Sequence, residues 1–200
     1  MRRTVKWLVL VAWLLPGVGD ADQWPAKGKL LVATELVRGD LFYQSVVLLL
    51  HCDENGALGI VVNRPTVIDP EQIFADVDEI AGYNGIIYWG GPVQMNSLRA
   101  LVRTDTPPED AQLIIDSVHQ LPIDDSLSDA PADLASLRFF VGYAGWAAGQ
   151  LDREMERGSW HVVQASDEHV FAEDPLALWK QLTPPRQHSA AASHQGSERT

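Results

Sequence analysis

The chain has a single cysteine among 200 residues, Cys52. That excludes an intramolecular disulfide and any metal site built from several thiolates. Cationic side chains are scarce too: 15 Lys and Arg stand against 27 Asp and Glu, for a formal net charge of −12. Arg2, Arg3 and Lys6 crowd the N-terminus, and the other cations are scattered. Such a surface repels a polyanion, and no basic helix or helix-turn-helix pattern offsets this, so direct nucleic-acid binding is disfavoured. The uncharged stretch Trp7 to Leu15 falls well short of the roughly 20 apolar residues a stable membrane span needs. Also missing are the dinucleotide fingerprint, the P-loop and the Gly-x-Ser-x-Gly nucleophile elbow. The sequence therefore offers no catalytic set, no cofactor site and no metal site.

What is present is one ordinary domain. The apolar fraction of 46% suffices for a real core, and no repeat or linker divides the chain. Residues 1–21 read as an exported leader: a basic start, a short apolar run, then small residues before a cleavage point near Gly19 or Ala21. The expected location is periplasmic if the leader is genuine. The alternative is a cytoplasmic protein with an uncleaved leader or a mis-assigned start. Residues 27–183 form the expected folded domain. Residues 184–200, polar and small and including His188 and His194, read as a disordered tail.

Apolar patterning predicts strands at Lys29–Leu36, Ser45–Cys52, Ala57–Asn63, Gly85–Trp89, Leu98–Arg103, Gln112–Val118, Leu137–Tyr143 and Ser159–Gln164. The second and third form a hairpin across Asp53-Glu-Asn-Gly56, with Asn55-Gly56 supplying the positive φ of the turn. Helices are expected from Pro70 to Ala81, from Gln150 to Arg157, and from Pro175 under an Asp174 cap. The acidic stretch Asp124–Asp133 is a loop or short helix. The expectation is an α+β single domain: a mixed, mostly antiparallel sheet with a few covering helices.

Three loops carry the candidate ligand-binding residues. Asn63 tolerates unusual backbone shapes, and Arg64 offers a planar donor fork for a carboxylate or phosphate, or else pairs with an internal carboxylate. Gly90 and Gly91 would let a ligand approach the backbone. Gly145, Trp146, Gly149 and Gln150 lie in the run GYAGWAAGQLDREME, read as a sharp strand-to-helix turn. Amides at the helix start would hold an anion there, or the Gln150 side chain satisfies them internally. Cys52 beside His51 is no nucleophile pair, because neighbouring strand residues point to opposite faces. His51 and Asp53 share a face but lack an identifiable third metal ligand.

The runs ALGIVVNRPT, YWGGPV and GYAGWAAGQL, in that order and spacing, resemble the YqgE/AlgH family over roughly Gly28 to Leu182. The resemblance implies a bacterial single α+β domain, a cytoplasmic setting, and a transcriptional-regulator label tied to alginate synthesis. It carries over no catalytic residue and no cofactor. Glu35 and Ala148 stand where the family usually has proline, which should alter local rigidity more than chemistry. An exported copy could not regulate transcription by touching DNA. The expected function is that of a non-catalytic regulatory or interaction protein, with a protein partner or small anionic ligand of unknown identity. The alternative is an enzyme acting on an anionic small molecule between the three loops.

Overall fold

The computed structural model describes residues 23–39, 41–74, 80, 82–122 and 134–184. Residues 1–21, read from the sequence as a leader, the Asp124–Asp133 stretch, and all of residues 184–200, read as a tail, except Pro184 lie outside the described residues. Nine strands occur in this order: β1 (Lys29–Ala33), β2 (Val46–Asp53), β3 (Gly56–Val61), β4 (Ile87–Trp89), β5 (Val93–Arg103), β6 (Gln112–Ile115), β7 (Val118–Leu121), β8 (Leu137–Ala147) and β9 (Trp160–Gln164). Four helices accompany them: α1 (Pro70–Phe74), α2 (Gln150–Glu156), α3 (Asp167–Val170) and α4 (Pro175–Leu182). The result is a single α+β domain.

The strand order is β6-β7-β5-β8-β3-β2-β1-β9, antiparallel throughout, with β4 lying parallel to β8. β8 organises the sheet. Its first half lies between β4 and β5, and its last residues pair with β3, Leu58 opposite Gly145 and Ala57 opposite Trp146. The sheet curls until Gly28, just before β1, packs against Ile114 and Ile115 of β6. Inside the curl, Leu30, Leu48, Ile60, Leu101, Phe140 and Val118 form the main core, which α4 closes through Leu178. Residues of β1 and β2 alternate between this core and a second one on the opposite face, containing Leu31, Val47, Leu49, Trp146 and Trp160. Burial on both faces explains why β2 reads as an unbroken apolar run.

The structure differs from the sequence expectation in several elements, among them β5, which begins at Val93 instead of Leu98. The hairpin turn is Glu54–Asn55, held by the Asp53 carboxylate accepting the Asn55 N–H (2.8 Å), and only Gly56 has positive φ. A Cβ on Gly56 would strike the Trp146 carbonyl, so this glycine serves the approach of β8. The apolar run after Gln112 is a β6–β7 hairpin instead of one strand, broken where Asp116 takes φ 40°. β8 continues as strand through Gly142-Tyr-Ala-Gly-Trp-Ala147, where a turn was expected, because β3 supplies it with a partner. α3 was not foreseen, and the described part of the helix from Pro70 runs only to Phe74.

Candidate functional site

Arg64 follows β3 and lies against β4. Its guanidinium carbon sits 4.9 Å from the centre of the Trp89 ring, its Nη2 donates to the Tyr43 carbonyl (2.8 Å), and its own carbonyl accepts the Trp89 N–H (2.9 Å). Burial pulls the Arg64 pKa down from the ordinary arginine value. The group remains a cation at any ordinary pH. Around it, Leu41, Pro65, Trp89, Pro92, Met95 and Leu176 line an open groove of about 460 Å³.

The walls are held by the other loop residues. Asn63 is buried, its Oδ1 accepting the Val46 N–H (2.8 Å) and its Nδ2 donating to the Gln44 carbonyl (2.9 Å). That clamp fixes the 41–44 turn, in which Gln44 has φ 56°. On the opposite wall, Gly90 donates its N–H to Val141 and accepts one from Val61, both at 2.8 Å. A Cβ on Gly91 would collide with the Tyr143 backbone, and one on Gly142 with the Gly91 carbonyl. The backbone approach these glycines permit is that of β8, and the Gly90 amide is already engaged. Beyond them Gln94 takes φ 48° and the β5 register shifts between Val93 and Leu98, which displays Met95. Gln44 and Gln94 are two of three described non-glycine residues with positive φ; Gln94 precedes the lining residue Met95, and Gln44 ends the turn that begins at the lining residue Leu41.

The remaining candidates lie elsewhere. Gly145 is exposed on β8. Trp146 packs with Trp160 (ring centres 6.0 Å apart), and Phe42 bridges them to Trp89 at 6.5, 5.9 and 6.1 Å from Trp146, Trp160 and Trp89. The Glu154 carboxylate accepts both indole N–H groups, at 2.9 Å from Trp146 and 2.8 Å from Trp160, and the Gln150 amide at 3.0 Å. Gln150 Oε1 accepts the Ala147 N–H (3.2 Å), and Gly149 begins α2 with φ 67°. Gly149 lines a separate dimple of about 80 Å³ with Cys52, Asp53 and Asp152. Burial first, then Asp152 and Asp53, push the Cys52 thiol pKa up, which disfavours the thiolate. His51 and Asp53 do meet (3.1 Å), but no cluster of three His, Cys, Asp or Glu side chains suited to a metal occurs among the described residues. The Asp53 carboxyl is held below its ordinary value mainly by the Asn55 N–H.

Of the sequence candidates, the structure places Arg64 in the lining and Asn63, Gly90 and Gly91 in the loops behind it; Leu41, Trp89, Met95 and Leu176, which also line the groove, were not among the candidates. Trp89 had a signal, standing immediately before Gly90. The other three are single apolar residues on separate segments, with nothing local to join them.

The fold defines the class, a single α+β domain built on a curled antiparallel sheet, and this chain carries an open, mostly apolar groove around Arg64. The AlgH-like family model (DUF179) matches residues 30–186. The chain belongs to that family. It is 40% identical to a UPF0301 protein of Streptomyces coelicolor over 161 residues, 78% of this chain and 83% of the relative. A UPF0301 protein of Thermobifida fusca is 31% identical over 172 residues, 80% and 87% of the two chains. Among solved structures, the crystal structure of a Corynebacterium diphtheriae protein matches the fold with TM-score 0.68 at 23% identity, covering 79% of this chain and 85% of that one. The solution structure of the AlgH protein of Pseudomonas aeruginosa matches with TM-score 0.58 at 26% identity, covering 73% and 80%. No described helix is long and apolar enough to cross a membrane.

Proposed function

We propose that this AlgH-like protein is a non-catalytic regulatory or interaction protein that binds a carboxylate-bearing group in the Arg64–Trp89 groove. The observation that carries the reading is the make-up of the groove. Among the described lining residues Arg64 alone is charged, stacked on an indole and ringed by Leu41, Pro65, Pro92, Met95 and Leu176. Such a set recognises a ligand. An enzymatic reading requires a proton donor or acceptor poised near neutrality, which the described lining residues do not supply. The two strained glutamines support the same place, because residues held in the left-handed region cost about 1–2 kcal/mol each and concentrate at ligand sites. In this reading Arg64 makes the contact, Asn63, Gly90 and Gly91 shape the walls, and Gly145, Trp146, Gly149 and Gln150 form the scaffold behind. The regulatory part rests on the family resemblance and is indirect, since a chain of net charge −12 makes a poor DNA ligand.

The test is a thermal-shift series on wild type and Arg64→Ala with benzoate, indole-3-acetate and their uncharged amides. Carboxylates should raise the wild-type midpoint by mass action, amides should not, and Arg64→Ala should lose the response. Equal responses in both proteins would place the binding elsewhere.

A further inference from the structure

We infer that the occupant of this groove is a segment of a basic partner protein, presenting an apolar side chain beside an aspartate, glutamate or C-terminal carboxylate. The inference rests on the binding role proposed above and names the kind of molecule that binds. The groove is a trough with its rim in solvent: Leu41, Met95 and Leu176 are 55%, 58% and 72% exposed. A small molecule in a true pocket hides about 70–90% of its surface. In this trough it would leave these apolar walls wet, whereas a polypeptide lying along the groove covers floor and rim together. Tyr43, half exposed on the same turn that supplies the carbonyl to Arg64, extends the apolar surface beyond the groove.

The residue types agree. Trp, Arg and Met are enriched in protein–protein interfaces, and Trp and Arg carry most hot spots. The floor is also held in shape before anything binds, by the Asn63 clamp on one wall and the packing of Gly90 and Gly91 against β8 on the other. A preformed floor lowers the ordering cost that weakens small peptide interfaces.

Charge defines the partner at two ranges. Over long distances a body of net charge −12 attracts a basic protein and repels an acidic one or a free anion. At contact distance the guanidinium over Trp89 selects a carboxylate, which the fork binds through charge-assisted hydrogen bonds. A segment with basic flanks and one carboxylate next to its apolar anchor satisfies both. A metabolite anion satisfies only the second.

A random twelve-residue peptide library on phage, selected on the full chain and counter-selected on Leu176→Asp, tests this. Leu176 is an exposed residue of α4, so the variant should fold, which its thermal midpoint checks. Enriched peptides should share an apolar residue beside an acidic one, within a net positive sequence. A synthesised winner, followed by fluorescence polarisation, should bind Arg64→Ala at least about tenfold more weakly, as should its version with asparagine or glutamine replacing the acid. Higher salt should slow its association. Enrichment of peptides without a carboxylate, or binding indifferent to Arg64→Ala, overturns the inference. If no peptide is enriched while benzoate still stabilises wild type through Arg64, the groove reading stands and the partner inference falls. If neither binds, both fall.

Discussion

Tyr88 and Trp89 are consecutive residues of β4, each with an arginine against its ring, and the two arginines do opposite work. Arg138 lies 4.9 Å from the Tyr88 ring centre and 5.2 Å from that of Phe171, and donates to the Val170 (2.8 Å) and Ala172 (2.7 Å) carbonyls. Arg64 lies 4.9 Å from Trp89 and donates to the Tyr43 carbonyl at the edge of an open groove. Burial lowers the pKa of both. A cation stacked on an aromatic ring is therefore no sign of function by itself. The difference lies in what surrounds the fork: at Arg138, the carbonyls at the end of α3 and just beyond it; at Arg64, a trough lined by exposed apolar side chains.

The largest expected effect tests the structural arm. Arg138→Ala removes two charge-assisted bonds and strands two carbonyls, at the end of α3 and just beyond it, at a cost of about 3 kcal/mol. Urea unfolding should show it as a lower midpoint at unchanged slope. Arg138→Lys should recover only part, because an ammonium cannot fork to both carbonyls. A loss below about 1 kcal/mol would remove the contrast between the two arginines.

Glu154 is the acidic counterpart of Arg138, a charge fully engaged inside the fold. Glu154→Ala leaves the Trp146 and Trp160 N–H groups without their acceptor, which should cost about 2 kcal/mol. Glu154→Gln, which keeps one acceptor oxygen, should lose less. Indole fluorescence reports both. If Glu154→Ala also abolished groove binding without unfolding the chain, the division between scaffold and site would need redrawing through Phe42, which touches both.

The third effect is alkaline. The Tyr83 hydroxyl donates to the Ile86 carbonyl (3.2 Å), and burial raises its pKa to about 12 from the ordinary 10.0. The folded state keeps its proton longer than the unfolded chain. This contribution is therefore complete below about pH 10 and is lost as pH rises through 12. About 1.4 kcal/mol should be gone by roughly pH 11, one pKa unit above the unfolded value. Tyr83→Phe should flatten that limb of the stability curve. Arg138 pulls the Tyr83 pKa down, so in Arg138→Lys molecules that stay folded the phenolate absorbance should shift little, and in Arg138→Ala it should appear later. Arg64→Ala should leave it unmoved.

Legibility in the sequence followed the range of the interactions. The β2–β3 hairpin, α2, and α4 under the Asp174 cap (Ala177 N–H to Asp174, 3.1 Å) arise from neighbouring residues, and the sequence pattern locates them. The glycine-rich end of β8 does not read as a strand, because Gly142 answers the carbonyls of the distant Gly91 and Val93, and the pairing partner of its last residues is β3. α3, with four residues, is shorter than any helical periodicity. Asp116 breaks an apolar run whose composition says only strand. For the groove, Arg64 and the glycines stand out in their loops. Leu41, Met95 and Leu176 become a rim only when four distant segments meet, and no local pattern records that meeting.

Arg64→Ala carries the smallest expected change in stability and is the other arm of the opening comparison. Among the contacts it gives up are a ring contact worth about 0.5–1 kcal/mol at an exposed site, and a hydrogen bond to a carbonyl that water can reach in the variant. The net loss should be about 1 kcal/mol or less, with the unfolding slope unchanged. Trp89 should become more exposed, red-shifting part of the indole emission. Burial lowers the Arg64 pKa, so Arg64→Lys places a more easily discharged amine at the same spot. It should preserve the fold while weakening carboxylate binding less than Arg64→Ala does. A loss for Arg64→Ala as large as that for Arg138→Ala would make Arg64 a second structural staple and leave the groove without its recognition element.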